Sequence, residues 1–191
     1  MAEGQNGKTD KAATEGQNGK TDKAATEGQN GKTDKVRMTI TSTRLPDKTG
    51  GSYWDDGLYG KVKAINLRLD TYIHSISVDY EKENENIISS KWRGSQNGQL
   101  IDPITLAPEE HIKTVSGNIG EVKLPNSNTK VKVIRLIKFE TNLGTYGPFG
   151  DSSGEYETFS YSVKDGENII GFFGRCSSQC LNAIGFHATK A

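Results

Sequence analysis

From Val36 onward the chain is dominated by a two-residue period, and that period limits what it can fold into. Ile65, Leu67 and Leu69 alternate with polar residues in INLRLD, and Ile76, Val78 and Tyr80 do so in ISVDYE. Successive side chains of a strand point to opposite faces, so such alternation describes strands with one buried and one solvated side. In KVKVIRLIKFE the alternation runs through Val131 and Val133, changes phase at Ile134 and Leu136, and changes again at Ile137 and Phe139. A phase change inside a strand predicts a bulge or a strong twist. Turn-forming clusters (TGG, DDG, SQNG, DPI, LPNSN, YGPFGDSSG, VKDGEN) separate the apolar runs at intervals of roughly ten residues, the spacing of an all-β sandwich, barrel or prism. No window holds a 3.6-residue apolar stripe. APEEHIKTV is the one helix-like stretch, and its β-branched residues and brevity favour a turn leading into a strand.

The first 35 residues read differently. EGQNGKTDKAAT occurs at Glu3–Thr14 and again at Glu15–Thr26, followed by a truncated EGQNGKTDK at Glu27–Lys35. The repeats lack large apolar side chains, so they cannot bury enough surface to offset the entropy of ordering. Residues 1–35 are therefore expected to be a disordered tail, and residues 36–191 a single domain large enough to bury a substantial core.

Charge narrows the partners. Lys and Arg total 24 and so do Asp and Glu, which gives no general electrostatic reason to expect nucleic acid or an anionic membrane. No apolar run approaches a membrane span, and MAEGQNGKTDKAAT does not read as a secretory signal. With two cysteines only, the expected location is cytoplasm or nucleus. Metal binding and catalysis find little support. His74, His111 and His187 are scattered, Cys176 and Cys180 lack converging partners, and an odd separation puts Cys180 and His187 on opposite faces of a strand. Asp55-Asp56 before Gly57 is expected to form a solvated Asx-type turn. No cofactor is implied.

Three blocks carry more than pattern. GGSYWDDG at Gly50–Gly57, FETNLGTYGPFG at Phe139–Gly150, and GFFGR followed by LNAIGF at the end resemble the jacalin-related lectins in order and spacing. The resemblance implies a β-prism I fold, three four-stranded antiparallel sheets about a pseudo-threefold axis. It also implies a non-catalytic, metal-independent sugar site built from loops at one end of the prism. Backbone N–H groups and a carboxylate in tight glycine-bearing loops can bond several clustered sugar hydroxyls together. Family members are mostly plant proteins, some in stress or defence, and many associate as dimers or tetramers, so a homo-oligomer is expected.

Carried over by position, the N-terminal glycine of that site is Gly51, with Tyr53 nearby as a stacking platform. SGNIG is expected to be a further loop presenting Asn118 and Ile119. The family's G-x-x-x-D loop falls on Ser178, Gln179, Cys180, Leu181 and Asn182, with serine for the glycine and asparagine for the acid. Ser178 would be strained if it kept the glycine's positive φ. Loss of the charged acceptor would weaken a hydroxyl contact by about 1–3 kcal/mol, roughly ten- to a hundredfold in affinity. Two functions follow: a lectin for mannose/glucose-type glycans or glycoproteins, since PDKTGG resembles the uncut group of the family, or a protein-interaction module with a decayed sugar site.

Overall fold

The computed structural model describes residues 39–82, 86–124 and 128–190. The repeat tail expected to be disordered lies outside them. The described residues form three antiparallel sheets with no helix. Each is built on one long hairpin flanked by shorter strands. In the first sheet β13 (Glu167–Cys176) and β14 (Leu181–Lys190) form the hairpin, with β2 (Ser52–Asp55) and β1 (Ile40–Ser42) at its edges. In the second, β9 (Ile112–Lys123) and β10 (Lys130–Thr141) are flanked by β12 (Tyr156–Ser162) and β11 (Thr145–Gly150). In the third, β3 (Lys61–Leu69) pairs with β4 (Ile73–Glu81), and each outer path is broken in two. β5 (Ile87–Ser89) and β6 (Arg93–Gly94) run along β4, and β7 (Gln99–Leu100) and β8 (Ile104–Thr105) along β3. The third sheet thus has six segments on four strand paths.

The expected phase changes in β10 appear as register shifts, between Ile134 and Leu136 against β9 and between Ile137 and Phe139 against β11. They let Val133, Ile134, Ile137 and Phe139 all reach full burial from one strand. APEEHIKTV is a turn entering β9, closed by Glu110 N–H on Ala107 O at 3.0 Å. YGPFG, expected in a turn, is strand β11; the turn follows it at Asp151, whose carboxylate accepts Ser153 N–H at 2.9 Å.

The inward faces of the three hairpins share one apolar core, which includes Leu67, Ile76, Ile134, Phe172 and Ile184. Each such side chain contributes about 1.5–3 kcal/mol on burial. A second, small cluster joins Tyr72 from the β3–β4 turn, Cys180 from the β13–β14 turn and Val133 from β10. It packs together the turn ends of the first and third hairpins and the start of β10.

Asp56 corrects the expectation of a solvated turn for Asp55-Asp56. Its side chain is 1% exposed and ion-paired to Arg93 at 2.8 Å. It also accepts the Tyr80 hydroxyl at 3.0 Å, and Tyr80 Oη in turn accepts Phe172 N–H at 3.0 Å. The Asp56 carboxylate and burial together push the Tyr80 phenol far above its ordinary range, burial being the larger cause. Arg93 lies over the Trp54 ring at 5.3 Å. The WDDG block therefore ties the first sheet to the third. Asp55 does form the Asx turn, accepting Gly57 N–H at 2.8 Å.

Candidate functional site

Gly50 and Gly51 lead into β2 with φ of 73° and 69°. At Gly51 the glycine is required twice, by its backbone and by its neighbours. A Cβ there would stand 2.5 Å from Asn182 Oδ1 and 2.8 Å from the Cys176 carbonyl oxygen, distances no side chain tolerates. At Gly50 the same Cβ would meet open space. The antiparallel register that sets Ser52 opposite Cys176 and Tyr53 opposite Arg175 carries this loop onto the β13–β14 turn.

Arg175, to which the sequence reading gave no role, fastens the two together. Its Nε donates to Gly50 O at 2.8 Å and its Nη2 to Gly51 O at 2.7 Å. A planar guanidinium suits two consecutive carbonyls in a way an ammonium does not. The signal was present in the sequence as the arginine that closes GFFGR, at the end of a strand facing a glycine pair.

The β13–β14 turn is closed by Ser177 N–H on Cys180 O at 3.0 Å. Ser178 is exposed and Gln179 half-buried. The strain expected at Ser178 is absent: Lys48 is the only non-glycine residue with positive φ among the described residues. Cys180 is not a surface residue of the loop. It is completely buried beside Tyr72 and Val133, while the preceding carbonyl, Gln179 O, lies 3.3 Å from His74 Nδ1. Burial pushes the thiols of both Cys176 and Cys180 above their usual range.

Asn182 lies beneath Gly51. It is 2% exposed, and its Nδ2 donates to Lys132 O at 2.7 Å. Its Oδ1 is buried without a hydrogen-bond partner. The amide is thus oriented by a backbone acceptor that an ionised aspartate could not satisfy.

SGNIG is not a loop. It lies within β9, where Asn118 stands opposite Leu136 on one side and Thr158 on the other. Ile119 is a core residue at 3% exposure. Four apolar or small residues in five positions look the same in a loop and in a central strand, so local pattern could not separate them. The β9–β10 hairpin instead approaches the site through Lys132, by the bond from Asn182. Tyr53 is 57% exposed, its ring 6.2 Å from Phe173 and its hydroxyl donating to Asp55 at 3.0 Å.

The histidines stay apart. His74 Nε2 is 2.9 Å from Asp70, and His111 sits at the entry to β9. His187 bridges Ser42, 2.7 Å from Nδ1, and Asp55, 3.1 Å from Nε2. This hydroxyl–imidazole–carboxylate row does not form a hydrolytic centre. The adjacent Thr43 and Phe186 amides already bond Phe186 O and Thr43 Oγ1, so neither is free to stabilise an oxyanion. The row ties β1, β14 and β2 together on one face.

One end of the prism therefore brings together a glycine pair, an arginine holding its carbonyls, an exposed polar turn and a buried amide. This arrangement suits hydroxyl-bearing ligands met by backbone and amide groups. Comparison with known proteins agrees with that geometry. The family model of the jacalin-like lectin domain matches residues 47–187. The chain is 39% identical over 141 residues to an agglutinin of Castanea crenata, covering 72% of this chain and 43% of that protein. It is also 39% identical over 142 residues to Jacalin-related lectin 19 of Arabidopsis thaliana, covering 74% and 76%. A galactose-specific lectin of Morus indica is 35% identical over 142 residues, covering 73% and 84%. The solved structure of a mannose-specific jacalin-related lectin from Morus nigra in complex with mannose superposes with a TM-score of 0.67 at 34% identity, covering 78% of this chain and 94% of that one. The chain spans less than half of the Castanea agglutinin, and with its prism of three hairpin-based sheets it belongs to the jacalin-like lectin family.

Proposed function

We propose that the chain is a non-catalytic carbohydrate-binding domain that takes mannose- or glucose-type glycans without a metal ion. Gly51 and the Ser177–Gln179 turn would meet the sugar, and Asn182 would support them from below. The observation that carries this reading is the convergence of the Gly50–Gly51 loop and the β13–β14 turn, held by Arg175 at 2.8 and 2.7 Å. Mannose-type binding is supported by the Morus nigra complex and by the uninterrupted PDKTGG lead. Self-association belongs to the same proposal, because a weak site gains from several copies acting together.

The buried Oδ1 of Asn182 favours a second reading, in which the prism serves as a protein-interaction module in plant stress or defence and the sugar site has closed. A glycan array followed by calorimetry with methyl α-mannoside separates the two. The lectin reading expects weak mannoside binding that is abolished by Gly51→Val. Absence of binding to every glycan on the array would sink it.

A further inference from the structure

The second sheet carries a cavity of about 590 Å³ in the half nearest the β9–β10 turn. Lys130, Lys132 and Arg135 of β10 line it from one side and Tyr156 and Glu157 of β12 from the other, with Glu121 of β9 and Glu155 also on the lining. Gly120 lets the Arg135 side chain lie across the middle strand: a Cβ there would stand 2.7 Å from Arg135 Cδ and 2.8 Å from Glu155 O.

Two of the ion pairs in this cavity are layered. Lys132 Nζ lies 2.6 Å from Glu157, and the lysine side chain is 28% exposed against 68% for the glutamate. Arg135 Nη2 lies 3.2 Å from Asp151, with 12% exposure against 41%. In both pairs the cation is the inner partner and the carboxylate the outer one, whereas the third pair on the lining, Lys130–Glu121 at 3.7 Å, is reversed, with 70% exposure for the lysine against 53% for the glutamate. Arg135 is further held by Ser153 Oγ at 3.1 Å, yet its buried Nε has no hydrogen-bond partner. A carboxylate as exposed as that of Glu157 holds its partner weakly and can be displaced. Tyr156, 46% exposed, offers an aromatic face at the rim, where a sugar ring's C–H surface packs well.

We propose that this cavity is a second ligand site, for a saccharide bearing an anionic group, either carboxylate or sulfate. The anion would lie over Lys132 and Arg135 with Glu157 displaced outward, and the ring would rest on Tyr156. The ammonium and the guanidinium are already paired with Glu157 and Asp151, so a neutral glycan gains little by displacing a carboxylate, whereas an anion replaces one charge-assisted partner with another. The proposal does not rest on the mannose reading, although Lys132 serves both places: its side chain lines the cavity and its carbonyl accepts Asn182 Nδ2 at 2.7 Å.

The test uses the whole chain, by calorimetry, with trigalacturonate, a sulfated disaccharide and uncharged mannotriose as probes. At least one anionic probe is expected to bind, and which one does so distinguishes carboxylate from sulfate. Its affinity should fall as salt rises. Lys132→Gln should weaken it about tenfold, the worth of one charge-assisted contact. Lys138→Gln removes the same charge from the same strand at a residue paired with Glu140, outside the cavity, and should change affinity less than about twofold. Failure of both anionic probes, insensitivity to salt, or equal effects of the two lysine variants would each overturn the proposal. Mannotriose binding without anionic binding counts against this site alone, and the reverse against the mannose reading alone.

Discussion

Replacing Asn182 by aspartate introduces the acid that the resemblance to jacalin-related lectins implies at this position, yet the structure expects it to destabilise the protein. The Nδ2 that donates to Lys132 O at 2.7 Å becomes an oxygen facing an oxygen, in a side chain only 2% exposed. The simplest escape is to keep a proton, which lets the carboxyl donate to Lys132 O. Its folded pKa then rises by about 3 units above the unfolded value of about 3.9, as for other buried carboxyls. The variant binds its proton more tightly folded than unfolded. Its stability relative to the parent is therefore retained below about pH 4 and lost as pH rises, by about 1.4 kcal/mol per unit, up to the folded pKa. The full penalty near neutrality is about 4 kcal/mol. Urea unfolding of variant and parent at about pH 5 and about pH 7.5 should show the gap between them widening by about 2–3 kcal/mol. A gap that does not change with pH, or a variant as stable as the parent at the higher pH, would refute the reasoning. It would mean that the side chain reaches water and is not held under Gly51.

Asp56→Ala should lower stability by about 3–5 kcal/mol, because it strands Arg93 and the Tyr80 hydroxyl in the interior; a urea-midpoint loss under about 1 kcal/mol would contradict that role. Gly51→Ala and Gly50→Ala share a positive φ, but only the first drives a methyl into Asn182 and Cys176. The second should lose about 1 kcal/mol and the first clearly more, and equal losses in parallel melts would leave backbone strain as the sole cause. A thiol reagent at about pH 8 should label buried Cys180 only after denaturation, since burial both shields the thiol and raises its pKa. Rapid native labelling of Cys180 would show that the turn opens.

Much of the fold was legible because strand periodicity is a local property. INLRLD and ISVDYE became the β3–β4 hairpin, and the two phase slips of KVKVIRLIKFE became register shifts at the expected residues. The candidate site was only partly legible. Gly51 packs against Cys176 and Asn182, on either side of the β13–β14 turn. Cys180, by contrast, faces inward to pack with Tyr72, and SGNIG is a strand that buries Ile119. Asp56 looked like one of two turn acids until the fold put Arg93 and Tyr80 around it.

By itself the sequence determined which residues face inward and where the chain reverses, since these depend on neighbours two to four positions away. Only the tertiary structure decided what each turn residue does. Asn182 is oriented by a carbonyl fifty positions away, and Gln179 by a histidine 105 positions away. Those contacts exist because the hairpins share one core, and packing between sheets leaves no trace in the periodicity of any single strand.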